Sequence, residues 1–455
     1  MTAMADSPPL SSPDATTDAH RSIGWRFASA GSAGLLVSAA AAATAVLAGM
    51  GTAGAATIDV TNCDDTGAGS LRDAIATADA SAGADTIVIS ATCTLANPVT
   101  LSSEMVVAAA GDDLSIVGPG SATFVLDGAD STRIMRFENV GDVSLSGITM
   151  RGGNGTGGTP DADGGALLIN GAGDVRLADV VFDANNSLSA GGGLYTDNAN
   201  SVTITGCTFS NNSAVDGGGA FYSLSNGDIV ISNSTFVGNN SDSNGGAISV
   251  YENPGSFTMT NSTLTGNSSG LAGSAVFLRD LYGDATLLFN TITDNAAGYG
   301  VGVYIASTQD SLTVTMTGNV VSENSGTVVD YEVFIGGGWT VVTGSNDFHG
   351  TVVGLTPDAS DVNVDPMLEV LADNGGPTWT RALAANSPLI DLGPATIPVF
   401  SGNGFDQRGT PFIREYNGRS DIGAFEWTPA PAPTTTQAVS PATDPDGPVV
   451  PTFTG

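Results

Sequence analysis

The chain has 455 residues, with 46 aspartates and glutamates against 12 arginines, no lysine and a formal net charge of −34. A chain this acidic repels nucleic acid phosphates and anionic membrane surfaces, so nucleic acid is excluded from the expected partners. Hydrophobic residues still make up 41% of the chain, in short runs that can build a core, which argues against a disordered protein.

The N-terminal segment has the features of an export signal. Arg21 and Arg26 precede an uncharged stretch over residues 35–48, and residues 53–55 form a small-x-small cleavage site. A membrane anchor is disfavoured because the stretch is rich in alanine and shorter than the roughly 20 apolar residues of a membrane span. We therefore predict a signal peptide over residues 1–55, no transmembrane span in the mature chain, and a secreted or cell-surface protein.

Residues 56–110 are expected to form an N-terminal cap and the first coils of a repeat structure. Segment 69–75 predicts an amphipathic helix with Ser70 as its N-cap and Asp73 in place of the capping-box glutamate. Such a helix would cover the open end of the first coil. Cys63 and Cys93 lie on either side of this segment, and an oxidising compartment favours a disulfide between them.

Besides Cys63 and Cys93, the predicted mature chain contains one more cysteine, Cys207, and one histidine, His349. Three cysteines and one histidine do not suffice for a zinc site of the usual composition, and they leave little material for a Ser-His-Asp triad. We therefore predict no zinc centre and no triad chemistry.

Residues 111–345 contain a repeat of about 27 residues. An apolar residue followed three positions later by asparagine occurs six times, at spacings of 27, 27, 28, 28 and 29 residues. A Gly-Gly-Ala-Leu motif at 164–167 recurs in step with it. The six asparagines are Asn185, Asn212, Asn239, Asn267, Asn295 and Asn324.

Short runs rich in β-branched residues, such as 201–205 and 228–232, separate these motifs and are too short for helices. About three strands per coil, closed by glycine and asparagine turns, predict an all-β, right-handed parallel β-helix of roughly ten coils. Each asparagine is expected to adopt the left-handed conformation at a corner and to bond the identical amide one coil away. A leucine-rich repeat is disfavoured because its Leu-x-x-Leu-x-Leu frame is missing.

The two repeat motifs resemble those of polymorphic outer membrane proteins and related bacterial β-helix surface proteins. Region 346–427 is similar to a choice-of-anchor Q domain through its motifs at 374–378, 387–391, 406–409 and 421–426. This resemblance implies an exported protein displayed on the cell exterior. The Pro/Thr/Ala-rich tail, 428–455, shows no recognisable sorting signal, so release into the medium stays open.

The strand after each glycine pair supplies the candidate binding residues. Aligning the glycine pairs places Leu167 and Tyr195 on the inner face, and strand alternation then turns Tyr222, Phe277 and Tyr304 outward. Exposed aromatic rings on a rigid sheet suit a glycan or a cell-surface protein. The alternative is that a loop covers them or that they are scattered surface aromatics without a binding role. The leading hypothesis is a noncatalytic, adhesin-like monomer that presents these rings.

Two other functions stay open. A carbohydrate-active lyase or hydrolase needs a proton acceptor or paired carboxylates, and Arg279 with Asp280 and Asp284 is the best local combination. A structural envelope component needs no site. Acidic turns could bind calcium, the one cofactor considered, although ordinary turn chemistry explains them equally. Those turns contain Asp183, Asp216, Asp242 and Asp294.

Overall fold

The computed structural model describes residues 54–429 except 109–110, 158–161, 300, 310, 327–330 and 338. All but the last two residues of the predicted signal peptide, and the tail from residue 430, lie outside the described residues. Within the described part of the chain, no helix has the length and apolar character that crossing a bilayer requires.

The described part of the chain consists of one helix, many short strands and the turns between them. The helix is α1 (Leu71–Ala80). The first strands are β1 (Thr57–Val60), β2 (Asp85–Ile89), β3 (Val99–Thr100), β4 (Met105–Val107), β5 (Leu114–Val117), β6 (Val125–Asp127), β7 (Met135–Glu138), β8 (Val143–Arg151), β9 (Leu167–Asp183), β10 (Asn186–Ser187), β11 (Leu194–Thr205), β12 (Thr208–Ser210), β13 (Ser213–Ala214), β14 (Phe221–Leu224), β15 (Asp228–Ser232), β16 (Thr235–Val237), β17 (Asn240–Ser241) and β18 (Ile248–Tyr251).

The later strands repeat the same order. They are β19 (Phe257–Thr260), β20 (Thr263–Thr265), β21 (Ser268–Ser269), β22 (Val276–Arg279), β23 (Ala285–Leu288), β24 (Thr291–Thr293), β25 (Ala296–Ala297), β26 (Val301–Ala306), β27 (Thr313–Thr317), β28 (Val320–Ser322), β29 (Ser325–Gly326), β30 (Tyr331–Gly336), β31 (Thr340–Gly344), β32 (Asp347–His349), β33 (Val352–Val353), β34 (Leu368–Ala372) and β35 (Thr380–Leu383).

All these strands except β34 and β35, which pair antiparallel, stack in four parallel sheets, of which sheet 4 is present only from β10 to β29. Sheet 1 contains β4, β7, the starts of β9 and β11, β14, β18, β22, β26, β30 and β33, and these include the strands after the glycine pairs. Sheet 2 contains β1, β2, β5, β15, β19, β23, β27, β31 and parts of β8, β9 and β11. Sheet 3 contains β3, β6, the ends of β8 and β9, β12, β16, β20, β24, β28 and β32, and sheet 4 contains β10, β13, β17, β21, β25 and β29. The predicted parallel β-helix of about ten coils is confirmed.

Identical positions of successive coils pair in register, which builds the core from columns of like residues. Phe182, Phe209 and Phe236 are register partners on sheet 3, fully buried, with ring centroids 4.7 Å apart. The coil spacing of about 4.8 Å is close to the distance at which aromatic rings stack, so one inward position repeated along the chain fills the interior.

The N-terminal end is covered by α1, as the fold prediction required. Ser70 Oγ accepts the backbone N–H of Asp73 at 3.2 Å, and Leu71 and Ile75 lie on the buried face of the helix. Cys63 and Cys93 are joined by a disulfide, with Cα atoms 5.6 Å apart. Cys207 is free and buried, and burial raises its pKa to about 12, so it is an inert core thiol.

The C-terminal residues 362–427, which we call the C-terminal module, pack along the outer face of sheet 3. Gln407 Nε2 donates to Thr235 Oγ1 at 2.9 Å, and Gln407 Oε1 accepts from Thr263 Oγ1 at 2.6 Å. Arg414 is fully buried and donates to Asn261 Oδ1 at 2.8 Å. The module therefore attaches to several consecutive coils by hydrogen bonds to their outward side chains.

Candidate functional site

Six asparagines form a continuous ladder inside the β-helix. From Asn185 to Asn324, each Nδ2 atom donates to the Oδ1 atom of the asparagine one coil further on, at 2.8–2.9 Å. The same Oδ1 atom accepts the backbone N–H of the preceding asparagine. All six residues, namely Asn185, Asn212, Asn239, Asn267, Asn295 and Asn324, are at most 3% exposed. Because these bonds use both donor and acceptor, the amides can be buried without large cost.

The expectation that these asparagines are themselves left-handed was wrong. Positive φ falls on the residue immediately before each one, as in Asn211 (55°), Asp294 (56°) and Glu323 (59°). That residue makes the turn, and the asparagine that follows directs its amide into the interior. In the glycine motifs that the structure describes, the first glycine does take positive φ, as in Gly218 (58°), where a larger residue would be strained.

A second polar ladder, missed in the sequence, runs between sheets 2 and 3. Asn290, Asn319 and Asn346 are joined by Nδ2–Oδ1 bonds of 3.0 and 2.9 Å. It ends at Asp361, whose Oδ1 atom accepts both the backbone N–H and the Nδ2 group of Asn346. The first ladder ends similarly, because Glu332 Oε2 accepts Asn324 Nδ2 at 2.6 Å. The sequence does contain a signal for this second ladder, because asparagines at 290 and 319 each lie five residues before an asparagine of the first ladder.

The predicted strand alignment on sheet 1 was wrong at one coil. Leu194, not Tyr195, pairs with Leu167 and points inward, while Tyr195 pairs with Leu168 and Tyr222 on the outer face. An inward Tyr195 would turn the next residue, Thr196, outward, but Thr196 is fully buried. The cause is the triple glycine at 191–193, which offers two glycine pairs and so two alignments that differ by one residue.

Six aromatic rings stack on the outer face of sheet 1, and we call them the aromatic ridge. Its members are Tyr195, Tyr222, Tyr251, Phe277, Tyr304 and Phe334, with successive ring centroids 4.7–5.4 Å apart. Tyr222 and Phe277 are only 5% and 3% exposed, so the prediction that they are exposed was wrong. Tyr304 is half-buried, as are Tyr195, Tyr251 and Phe334. Four of the five contacts are stacked and that of Tyr251 with Phe277 is tilted by 41°, so ring faces are largely covered and ring edges form most of the accessible part.

Tyr251 completes the ridge at the coil where the register partner of Tyr222 and Phe277 is a small residue. Ser249 pairs with Tyr222 on one side and with Phe277 on the other. Tyr251 lies two residues further along the same strand, on the same face, and its ring fills the gap. Strand alternation in the sequence gives Ser249 as the outward residue of this coil, so a continuous row of rings could not be predicted from it.

Charged groups flank the aromatic ridge. Asp197 follows Tyr195 by two residues and so faces the same side; burial raises its pKa to about 6, with Asp163 adding to the shift. Arg279 is the register partner of Tyr251, and its Nε atom lies 3.4 Å from Asp280 Oδ2. The ridge therefore combines apolar edges with charges of both signs.

A cavity of about 310 Å³ opens near the C-terminal end of the β-helix. Glu323, Glu332 and His349 are among its lining residues. Glu332 is nearly fully buried, while Glu323 is exposed and accepts Thr293 Oγ1 at 3.3 Å. Nearby Asp347 is fully buried, and this burial raises its pKa to about 7. Over the described residues, no group of three or more His, Cys, Asp or Glu side chains is placed to hold a metal ion.

All four acidic turns considered for calcium have protein partners. Asp183 accepts from Ser210 Oγ at 2.6 Å, and Asp294 forms an ion pair with Arg381 of the C-terminal module. Asp216 accepts from Ser189 Oγ at 3.4 Å, and Asp242 lies near Asn240 Nδ2 at 3.5 Å. Three of these contacts are with a neighbouring coil or the C-terminal module, and the contact of Asp242 lies within its turn. Calcium binding stays a prediction.

The motif residues of the C-terminal module form a buried ionic cluster. Asp406 Oδ2 accepts from Arg408 Nη2 at 2.6 Å and from the backbone N–H of Glu426 at 2.9 Å. Burial raises the pKa of Asp421 to about 6 and that of Glu426 to about 8, where the nearby Asp421 adds to the shift. Every carboxylate of the cluster accepts backbone N–H groups, so these residues fold the module.

Comparison with known proteins identifies the family. The model of the right handed beta helix region matches residues 125–279 and 165–354, together just over half of the chain, so the chain belongs to that family. No curated protein sequence matches it. It is similar to the crystal structure of pectate lyase Pel9A, with 17% identity and a TM-score of 0.38 over 82% of this chain and 96% of that chain. It is also similar to jun a 1, the major allergen from cedar pollen, with 16% identity and a TM-score of 0.31 over 56% and 72%. These likenesses concern the fold alone.

Proposed function

We propose that this chain is an exported, noncatalytic β-helix rod that binds an extended, uncharged polysaccharide along the aromatic ridge. The observation that supports this proposal is the continuity of the ridge, in which six rings are in contact over six consecutive coils. The accessible edges recur once per coil, roughly every 5 Å. A ligand that is itself a linear repeat can contact several of them at once.

The stacking of the rings favours binding. A ring held between two neighbours, such as Tyr251 between Tyr222 and Phe277, has little rotamer freedom left to lose when a ligand arrives. The phenol groups of Tyr195, Tyr251 and Tyr304 combine an apolar edge with a hydroxyl, which suits the mixed polar and apolar surface of a sugar. The arrangement differs from a platform of exposed ring faces, which these rings do not offer.

Charge favours an uncharged ligand. The formal net charge of −34 repels polyanions over the whole surface. On the ridge itself, Asp197 lies at one part and the paired Arg279 and Asp280 at another, so no uniform positive strip is present there to overcome this repulsion. We therefore expect neutral polysaccharides to bind more tightly than polyuronates.

A glycan array probed with the full secreted chain tests the proposal. The Tyr195→Phe, Tyr251→Phe and Tyr304→Phe triple variant keeps the ring stack and removes three hydroxyls, so it should bind neutral polysaccharide at least about tenfold more weakly. The matched control is Thr258→Ala, at a half-buried position on sheet 2. Equal binding by wild type and triple variant would remove the ridge as the site. If the chain binds a cell-surface protein and no glycan, the proposed ligand is wrong. If it binds neither, the result favours a structural envelope component.

Export and surface display form part of the same proposal. Their support is the signal-like segment 1–55, the repeats similar to polymorphic outer membrane proteins, and the resemblance of region 346–427 to a choice-of-anchor Q domain. Fractionation of medium, wall and membrane, with mass spectrometry of the mature termini, should find a chain that begins at Ala56 in the wall or the medium. A cytoplasmic chain that begins at Met1 would contradict it.

A carbohydrate-active enzyme is the second candidate, and the cavity near the C-terminal end favours it. Glu323, Glu332 and His349 bring two carboxyl groups and an imidazole to one opening. The earlier candidate set has less support, because Asp284 accepts the backbone N–H of Thr313 at 2.8 Å and so serves the turn. Release of reducing ends or unsaturated products from a polysaccharide, lost in Glu323→Gln, would favour the enzyme.

A further inference from the structure

Three polar atoms on the last two coils are buried without a hydrogen-bond partner among the described residues. They are Ser322 Oγ, Asp347 Oδ2 and His349 Nδ1. Ser322 and Asp347 are completely buried. Buried polar atoms in folded proteins are almost always paired, so three orphans in one region call for a common explanation.

Strand register brings these residues together. Ser322 on β28 pairs directly with His349 on β32. Asp347 and His349 are two residues apart on β32, so their side chains leave the same face of the strand. The other carboxylate oxygen of Asp347 accepts the backbone N–H of Val364 at 3.0 Å, which fixes the carboxylate and leaves Oδ2 for another partner.

A Ser-His-Asp triad does not explain the cluster. In a triad, the serine donates to one imidazole nitrogen and the other nitrogen donates to the aspartate. Here Ser322 Oγ, Asp347 Oδ2 and His349 Nδ1 make none of these bonds. The three side chains leave the same face without forming hydrogen bonds to one another. They can instead surround one bound atom.

We propose that Ser322 Oγ, Asp347 Oδ2 and His349 Nδ1 form a binding site for a divalent transition-metal cation such as Zn²⁺. An imidazole nitrogen and a carboxylate oxygen are ordinary zinc ligands, and a third, weaker oxygen ligand leaves room for water in the coordination sphere. The cluster holds one histidine and one carboxylate, so it is not one of the sets of three His, Cys, Asp or Glu side chains that the described residues lack.

The neighbouring cavity provides the entrance. His349 lines it together with Glu323, which follows Ser322 in the chain, and Glu332. Negative groups at an opening raise the local concentration of cations. No arginine is among the lining residues, so no fixed cation opposes entry. The site is separate from the aromatic ridge, and its test is independent of polysaccharide binding.

The secreted chain offers a direct test, because His349 is its single histidine once the predicted signal peptide is removed. Uniform ¹⁵N-histidine labelling then gives one imidazole spectrum, which is recorded during titration of the metal-free protein with ZnCl₂. Saturable loss of the free Nδ1 signal and its replacement by a shifted one is expected. An unchanged imidazole, or a shift of Nε2 instead of Nδ1, would overturn the proposal.

Variants give the second measurement. Asp347→Asn keeps an acceptor for Val364 and should weaken Zn²⁺ binding at least about tenfold by calorimetry. Ser322→Ala should weaken it less. Ser210→Ala, at the corresponding outward position on an earlier coil, is the matched control and should bind like wild type. Equal affinity in wild type and Asp347→Asn would contradict the site, whatever the wild-type affinity.

Discussion

Asp361 closes the second asparagine ladder by accepting two hydrogen bonds from Asn346 at one oxygen atom. The backbone N–H of Asn346 lies 2.8 Å from Asp361 Oδ1, and its Nδ2 atom lies 2.9 Å from the same oxygen. A ladder of amides supplies its own acceptors at every coil except the last. The carboxylates of Asp361 and Glu332 fill that place in the two ladders.

Removing the terminal acceptor should destabilise the C-terminal coils. In Asp361→Ala, two donors of Asn346 lose their partner, which costs about 1–3 kcal/mol. Asp361→Asn keeps one acceptor oxygen and should cost less. Urea unfolding of both variants and wild type measures the difference in midpoint. Equal midpoints for the alanine and asparagine variants would show that the ladder end needs no acceptor.

An interruption in the middle of the first ladder should lower the free energy of unfolding more than removal of a terminal acceptor does. Asn239 accepts two bonds from Asn212 and donates to Phe209 O and Asn267 Oδ1. Asn239→Ala leaves several buried groups unpaired, so we expect a loss of about 3 kcal/mol or more. Asn240→Ala, one residue further and partly exposed, is the control. Thermal unfolding followed by circular dichroism compares the two, and a similar small effect for both would contradict a structural ladder.

The attachment of the C-terminal module should depend on Gln407. Gln407→Ala removes the module's acceptor for the Thr263 hydroxyl and the donor to Thr235 Oγ1, which keeps only its bond to Trp379 O at 2.6 Å. We expect faster proteolysis within 362–427 while the coils stay resistant, because local opening governs cleavage. Glu415→Gln, at an exposed position in the same module, should be cleaved at the wild-type rate. Uniform digestion of module and coils would mean that the two unfold together.

The stability of the module should fall as pH rises from about 5 to 8. Burial raises the pKa of Glu426 from 4.5 to about 8, so the folded protein holds this proton more tightly than the unfolded chain does. The stabilisation is complete below the unfolded pKa and is lost as pH rises through the folded pKa. Glu426→Gln imitates the protonated form and should flatten the dependence. A melting temperature that rises over this range in wild type would contradict the assignment.

Features that recur in every coil could be predicted from the sequence, whereas features of a coil that departs from the repeat could not. The ladder positions and the β-helix followed from spacing, because a regular period imposes register on every coil. The triple glycine at 191–193 allowed two alignments, and the wrong one displaced Tyr195 from the outer face. Exposure of Tyr222 and Phe277 could not be predicted either, because it depends on rings from neighbouring coils that cover one another.

Contacts between segments distant in the chain could not be predicted from the sequence, for a different reason. Gln407 bonds to Thr235 across 172 positions, and no local pattern reports such a contact. The cluster of Ser322, Asp347 and His349 likewise depends on the pairing of β28 with β32. The count of cysteines and histidines argued against a zinc site of the usual composition, but it could not show that one serine and one aspartate lie beside the single histidine.

Hydroxyl-radical footprinting with a bound neutral polysaccharide tests the central claim most directly. Tyr195, Tyr251 and Tyr304 lie on the aromatic ridge, while Tyr282 and Tyr299 are 54% and 43% exposed elsewhere and act as internal controls. Binding along the ridge predicts lower oxidation of the three ridge tyrosines and unchanged oxidation of the two controls. Protection of Tyr282 or Tyr299 with an unprotected ridge, under conditions in which the polysaccharide is bound, would contradict the account.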